Sequence, residues 1–253
     1  MTLRIYLTGR TGVEAGGEQL VHERQFRGRQ ERLAFAYLVR ERGRPVTREE
    51  LAAVLWPGDA PPAWQTGLSA IVSRLRALVA RDELARRSVS ISRGFGQYRL
   101  DLPYDTWVDV EAAAHAVDEA EQRLRAGAPR SAFAPAVVAS SIARRPFLSG
   151  DGGGWVAQER QKLDRVRLRA LECLARVWLA TAEPALAVEA AAEALTLEPL
   201  RESSHRLLMQ AHAAAGNPAD AVRAYHALRE SLVSALGTDP SRETEALYLE
   251  LIG

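Results

Sequence analysis

The sequence predicts a mostly α-helical chain with a small β component, organised as two modules, and three observations carry that prediction. The 253 residues exceed the roughly 100–200 of a typical single domain. Charge changes sign along the chain: residues 1–100 hold 17 arginines against 10 carboxylates, net +7, while residues 101–253 hold 16 basic against 22 acidic side chains, net −6. The apolar pattern changes with it, from short alternating runs mixed with helices to long helical periods that repeat at a fixed spacing. Hydrophobic residues at 47% and charged residues at 26% are those of an ordinary globular protein. No run approaches the roughly 18 apolar residues of a membrane span, and the N-terminus has no secretion signal, so a cytoplasmic protein with no membrane partner is expected.

The first module opens with Leu3, Ile5 and Leu7 alternating against Arg4, Tyr6 and Thr8, which reads as a half-buried strand running into turns at Gly9, Gly12, Gly16 and Gly17. Leu20–Phe26 can supply another short strand. Arg29–Arg42 places Leu33, Ala34, Tyr37 and Leu38 on one helical face, and Gly43 and Pro45 end that helix. Thr47 with Glu50 three residues on is a capping box that starts a second helix through Leu51, Val54, Leu55 and Trp56. A third helix from about Trp64 to Arg81 carries the apolar stripe Leu68, Ile71, Val72, Leu75, Leu78 and Val79. Its remaining face shows Thr66, Ser69, Ser73 and Arg76, with Arg74 and Arg81 beside them.

Ser88–Leu100 alternates on both sides of Gly94-Phe95-Gly96 and reads as a β-hairpin with Arg93 at its tip and Arg99 on the returning strand. Strands, three helices and a closing hairpin follow the order of a winged helix-turn-helix. That order suits DNA: a helix with one apolar face can lie in the roughly 12 Å major groove while a basic hairpin reaches the backbone or minor groove. A net charge of +7 fits a polyanionic partner, because each arginine on a phosphate releases a counterion.

The second module repeats. Leu174, Ala180, Pro184, Ala185, Ala187, Val188 and Ala190 recur 34 residues later as Leu208, Ala214, Pro218, Ala219, Ala221, Val222 and Ala224. That period, with small residues where helices must approach, predicts an all-α tetratricopeptide-like repeat. Gly216-Asn217-Pro218 is a turn within a pair, and Pro199 and Pro240 follow the ends of the longer helices. Helices are expected at Val110–Arg125, Ser131–Ile142 and Trp155–Ala182, the last long or broken, with Gly150–Gly154 as a flexible connector between them. The expected domains are 1–102 and 103–253, and the first should bind DNA on its own, more weakly than the whole.

Nothing in the sequence points to catalysis. Five histidines occur without a metal-ligand spacing, no G-x-S-x-G nucleophile motif exists, and Gly150–Gly154 is not followed by the lysine of a phosphate-binding loop. Cys173 stands alone in an apolar helical run, which excludes an intramolecular disulfide. No enzyme activity, cofactor or metal is expected.

Taken together, several motifs carry a family resemblance. Thr47–Leu51 with Leu55-Trp56-Pro57, Val72–Arg76, Gly96–Leu100, Arg145-Pro146-Phe147-Leu148, Trp155-Val156, Pro199–Glu202, Leu207-Leu208-Met209, Ala224-Tyr225 and Leu236–Pro240 stand in one order along the chain. In that order the chain resembles the SARP-type transcriptional activators, in which a winged helix-turn-helix precedes a bacterial transcriptional activation domain. The resemblance implies a DNA-binding transcription regulator contacting double-stranded promoter DNA through Arg48, Thr66, Ser69, Ser73, Arg74, Arg76, Arg93 and Arg99. It also implies a second module that contacts RNA polymerase or forms a homodimer. The competing reading is a repeat-based interaction or ligand-sensing protein whose winged domain no longer binds DNA.

Overall fold

The computed structural model describes residues 2–252, the side chain of Asp82 excepted. Helices dominate and the β component is small, as the sequence predicts. Two compact units form, and they are not contiguous in sequence. One takes the chain up to Ala112 together with Arg145–Lys162; the other takes Ala113–Arg144 together with everything from Leu163. The division therefore differs from the expected boundary at 102, because a segment from the middle of the chain returns to the first unit.

The first unit begins with β1 (Leu3–Tyr6), β2 (Gly12–Ala15) and β3 (Glu18–Val21). β2 arises where the sequence suggested only turns, and β3 ends at Val21, the following residues forming a 3-10 turn at Glu23–Gln25. Gly12 is required inside β2: a Cβ there would stand 2.8 Å from the Val21 carbonyl oxygen. These strands are antiparallel, and β7 (Trp107–Val108) adds to β1 in parallel, giving the order β3-β2-β1-β7. Asp109, fully buried at the start of α5 (Asp109–Arg125), accepts from Leu7 N, Thr8 N and Thr8 Oγ1 at 2.7–3.0 Å and so ties the end of β1 to that helix. Burial pushes the Asp109 carboxyl upward, partly offset by these donors and by Val110 N–H.

α1 (Arg29–Arg40) is central to this unit, with Leu33 through Val39 all buried. A one-faced helix cannot bury seven consecutive residues; here the returning segment covers what would have been the solvent side. Trp155 meets Tyr37 edge-on, with ring centroids 5.1 Å apart. Asp151, whose side chain is 0% exposed, lies between Arg29 at 3.1 Å and Arg32 at 2.7 Å. Arg40 donates to Glu159 at 2.9 Å. Gly150–Gly154 is thus not a free connector: its buried aspartate needs two arginines to offset the cost of desolvation, and that fixes the loop to α1.

The second unit is all helical, built from the rest of α5, α6 (Pro129–Ala143), most of α7 (Gly154–Ala180), α8 (Pro184–Leu197), α9 (Glu202–Ala214), α10 (Pro218–Leu236) and α11 (Arg242–Ile252). α7 is one unbroken helix. Pro129, Pro184 and Pro218 each stand at the start of a helix, where the missing N–H is no loss. The residue before each has nearly the same conformation, φ −113°, −114° and −113°. That residue, Ala128, Glu183 or Asn217, donates its N–H at 2.9 Å to the carbonyl five residues earlier. Ala132, Ala187 and Ala221, three residues beyond each proline, are all 0% exposed. The expected seam at Ala187 and Ala221 therefore has a third member that the 34-residue period does not reach, since Pro129 precedes Pro184 by 55. The additional chain includes the segment that returns to the first unit.

Candidate nucleic-acid interface

The helices that matter follow α1 closely. β4 (Val46–Thr47) leads into α2 (Arg48–Leu55), and the capping box forms as predicted: Glu50 N–H donates to Thr47 Oγ1 at 3.1 Å and Thr47 N–H to Glu50 Oε2 at 2.7 Å. α3 (Trp64–Val79) buries Leu68, Ile71, Val72, Leu75, Leu78 and Val79, the stripe read from the sequence. A short α4 (Asp82–Ala85) precedes β5 (Ser90–Gly94) and β6 (Gln97–Asp101). This hairpin pairs with β4 in the order β4-β6-β5, so one small sheet joins the start of α2 to the hairpin.

The outward line of α3 runs through Thr66, Ala70, Ser73 and Ala77, all exposed. Ser69 and Arg76, expected on that line, sit on its flank and are half-buried. Ser69 Oγ donates back to the Gln65 carbonyl at 2.8 Å. Arg76 Nε donates to the Ile91 carbonyl of β5 at 2.9 Å, fastening the helix to the hairpin. Arg74 Nε pairs with Glu31 of α1, whose side chain is 5% exposed. Arg74 and Arg76 are therefore structural ties as they stand, and the face between them presents hydroxyls and methyl groups. Gly67 faces the Trp56 ring, which a Cβ would meet at an ordinary 3.6 Å.

Arg48, at the first position of α2, is half-buried, and its Nη2 lies 3.5 Å from the Gln65 carbonyl. Its Nε is buried without a hydrogen-bond partner among the described residues. Arg99 is exposed and pairs with Asp101 at 2.7 Å. Arg93, opposite Tyr98 near the hairpin tip, is exposed and has no ion pair among the described residues. The tip is a two-residue turn, Phe95-Gly96, with φ of +49° and +76°, the pattern of a type I′ turn. Phe95 is wholly exposed. A large aromatic thus stands where such turns ordinarily take Asn or Gly, a signal visible in the sequence at Gly94-Phe95-Gly96.

In the second unit, Glu172 is buried and its Oε1 accepts from Arg201 Nε at 2.8 Å, Ser203 Oγ at 2.5 Å and Ser204 Oγ at 2.9 Å. Burial alone would raise its pKa, but these donors outweigh it and hold the carboxyl below the usual glutamate range. Cys173 beside it is buried, which pushes its thiol up to about 11 and leaves it unreactive as a nucleophile. Among the described residues no group of three or more His, Cys, Asp or Glu could hold a metal ion, and no helix is long and apolar enough to cross a membrane.

A unit of small sheets, helices and a hairpin, joined in one chain to a unit of proline-started helix pairs, defines a two-unit class of helical-repeat protein. The model of the bacterial transcriptional activator domain matches residues 108–252, and the chain belongs to that family, as a SARP-type transcriptional regulator. Regulatory protein AfsR of Streptomyces griseus is 28% identical over 223 residues, which cover 88% of this chain and 22% of AfsR. Transcriptional regulatory protein EmbR of Mycobacterium tuberculosis is 28% identical over 228 residues, covering 86% of this chain and 56% of EmbR. The chain thus spans from about a fifth to about half of these relatives. The fold is shared with a solved structure of Mycobacterium tuberculosis EmbR in complex with a low-affinity phosphopeptide, with a TM-score of 0.85 and 23% identity over 99% of this chain and 65% of that one. Both relatives are named as regulatory proteins.

Proposed function

We propose that the chain binds double-stranded promoter DNA and activates transcription, with α2, α3 and the β5–β6 hairpin acting as a winged helix-turn-helix. The observation that carries the reading is an exposed α3 line of Thr66, Ala70, Ser73 and Ala77 beside a hairpin tip whose Arg93 has no ion pair among the described residues. In this reading α3 enters the major groove, and its small outward residues let the helix axis come close to the base edges. Thr66, Ser69 and Ser73 supply hydroxyls at that surface. Arg48 at the start of α2 reaches a phosphate, aided by the positive end of the helix dipole. Arg93 and Arg99 hold the hairpin to the backbone, while Arg74 and Arg76 fix the pitch of α3 and reach DNA only with their remaining Nη groups. The helical unit, by family, contacts RNA polymerase or pairs two copies as a homodimer, and a cytoplasmic location follows from this role.

A salt-titrated mobility shift of the full chain tests this, using promoter fragments from its own genomic neighbourhood. Each arginine on a phosphate contributes about 0.9 to the slope of log K against log salt, so several such contacts give a steep slope. Failure to shift any fragment at about 50 mM salt overturns the reading.

A further inference from the structure

We infer that Phe95 is an apolar wedge that the hairpin inserts into the DNA minor groove at a base step; the inference rests on the DNA-binding reading above. Two features of Phe95 are unfavourable in the free protein. Its φ of +49° lies in the left-handed region, where a bulky side chain is strained and where Gly, Asn or Asp is the ordinary choice for a type I′ turn. The residue is 107% exposed, so among the described residues no burial of its ring offsets that strain. Of the other aromatic rings in this unit, Tyr6 pairs with Trp107, Phe26 with Phe35 and Tyr37 with Trp155, while Tyr104 is as exposed as Phe95 but is free of its left-handed backbone. A ring held apart from all of these, at the end of a narrow two-residue tip, is placed for an external surface.

The surroundings select the surface. Arg93 stands two residues away, exposed and without an ion pair among the described residues, and Gly94 and Gly96 on either side add no bulk. A slim tip of this kind fits the roughly 6 Å minor groove, whose negative potential draws an arginine to its walls. A phenyl ring has no donor for a phosphate, so backbone contact gives it nothing. Partial insertion between bases gives it a stacking surface, the use made of apolar wedges in minor-groove binders. It also places the sequence preference in step flexibility: pyrimidine–purine steps open most readily. Tip and α3 then read different grooves by different means.

The test uses the full chain and duplexes selected by it from a randomised pool. Phe95→Gly preserves the turn, because glycine adopts positive φ without strain, and its melting temperature should equal or exceed that of the wild type. Its affinity should fall about tenfold, the loss of one base-stacking contact, with the salt slope unchanged. Phe95→Leu, still apolar, should retain most of the affinity. Arg93→Ala should instead reduce the salt slope by about 0.9. With 2-aminopurine scanned through the selected duplex, one position should brighten on wild-type binding and stay dark with Phe95→Gly. If Phe95→Gly binds within about twofold of the wild type and gives the same 2-aminopurine signal, the wedge is overturned while DNA binding stands, and the ring is left to a protein partner. If the wild type selects no duplex at all, the DNA-binding reading fails and the wedge with it.

Discussion

Replacing Arg74 with alanine separates a structural tie from a base-reading residue. In the structure Arg74 Nε pairs with Glu31, whose side chain is 5% exposed and, among the described residues, otherwise accepts only from Arg27 N–H at 2.8 Å. Arg74→Ala leaves that charge in a poorly hydrated place with one donor. Breaking a fully buried pair costs about 3–5 kcal/mol, and Arg74 is itself 39% exposed, so water can reach part of the site and a loss of about 2 kcal/mol is expected. For a unit of this size that lowers the melting temperature by roughly 5–10 °C, readable by circular dichroism. Glu31→Gln in the same chain removes the stranded charge and should recover most of the loss, a coupling that a double-mutant cycle measures directly. DNA affinity should fall for all sequences alike, in step with the disturbed seating of α3. A variant that melts within about 1 °C of the wild type but loses its preference at one base position would refute this reasoning and make Arg74 a bidentate base contact worth ~1–3 kcal/mol.

Three further outcomes follow from the packing. Gly67→Ala should raise stability by about 0.5–1 kcal/mol in thermal melts, because the new Cβ meets Trp56 at an ordinary 3.6 Å and the helix gains the alanine propensity; a loss would mean that the Trp56 ring cannot settle on it. Ala221→Trp should destabilise the helical unit by roughly 1–3 kcal/mol or more, since its site is 0% exposed, and an unchanged melt would place the repeat register wrongly. Glu172, with its folded pKa depressed, contributes stability that is present above the ordinary glutamate pKa and lost as pH falls through the folded value; Glu172→Gln should flatten the acid limb of a stability–pH curve below about pH 4.5, and an unaltered limb would assign that loss to other carboxylates.

Local signals were strong enough to read α2, α3 and the hairpin directly. A capping box, a continuous apolar stripe and a glycine-flanked turn each act within a few residues. What escaped depends on partners far away in sequence. The rotation of α3 is set by Glu31, 43 residues before Arg74, and by the Ile91 carbonyl, 15 after Arg76, so arginines that look outward on a helical wheel are drawn inward. β2 and β3 are only four residues each and sit among glycines that signal turns. Asp151 has no local reason to be buried; only Arg29 and Arg32, about 120 residues earlier, supply it. The turn at Gly127-Ala128-Pro129 was hidden because intervening chain breaks the 34-residue period, although its geometry matches the other two.

That intervening chain, Arg145–Lys162, has a consequence for synthesis. A ribosome that has made the first 112 residues has delivered the strands, α1 to α3 and the hairpin, yet Arg29, Arg32 and Arg40 still wait for Asp151 and Glu159, and Tyr37 for Trp155. The first unit is finished only after the first helix pair of the other unit has emerged. A fragment ending at 102 would expose one side of α1 and leave Arg29 and Arg40 without their carboxylate partners, Arg32 keeping only Glu23. Exchanging the first unit between relatives therefore calls for three crossover points, after 112, 144 and 162, and a single cut would yield a chimera lacking part of its own core.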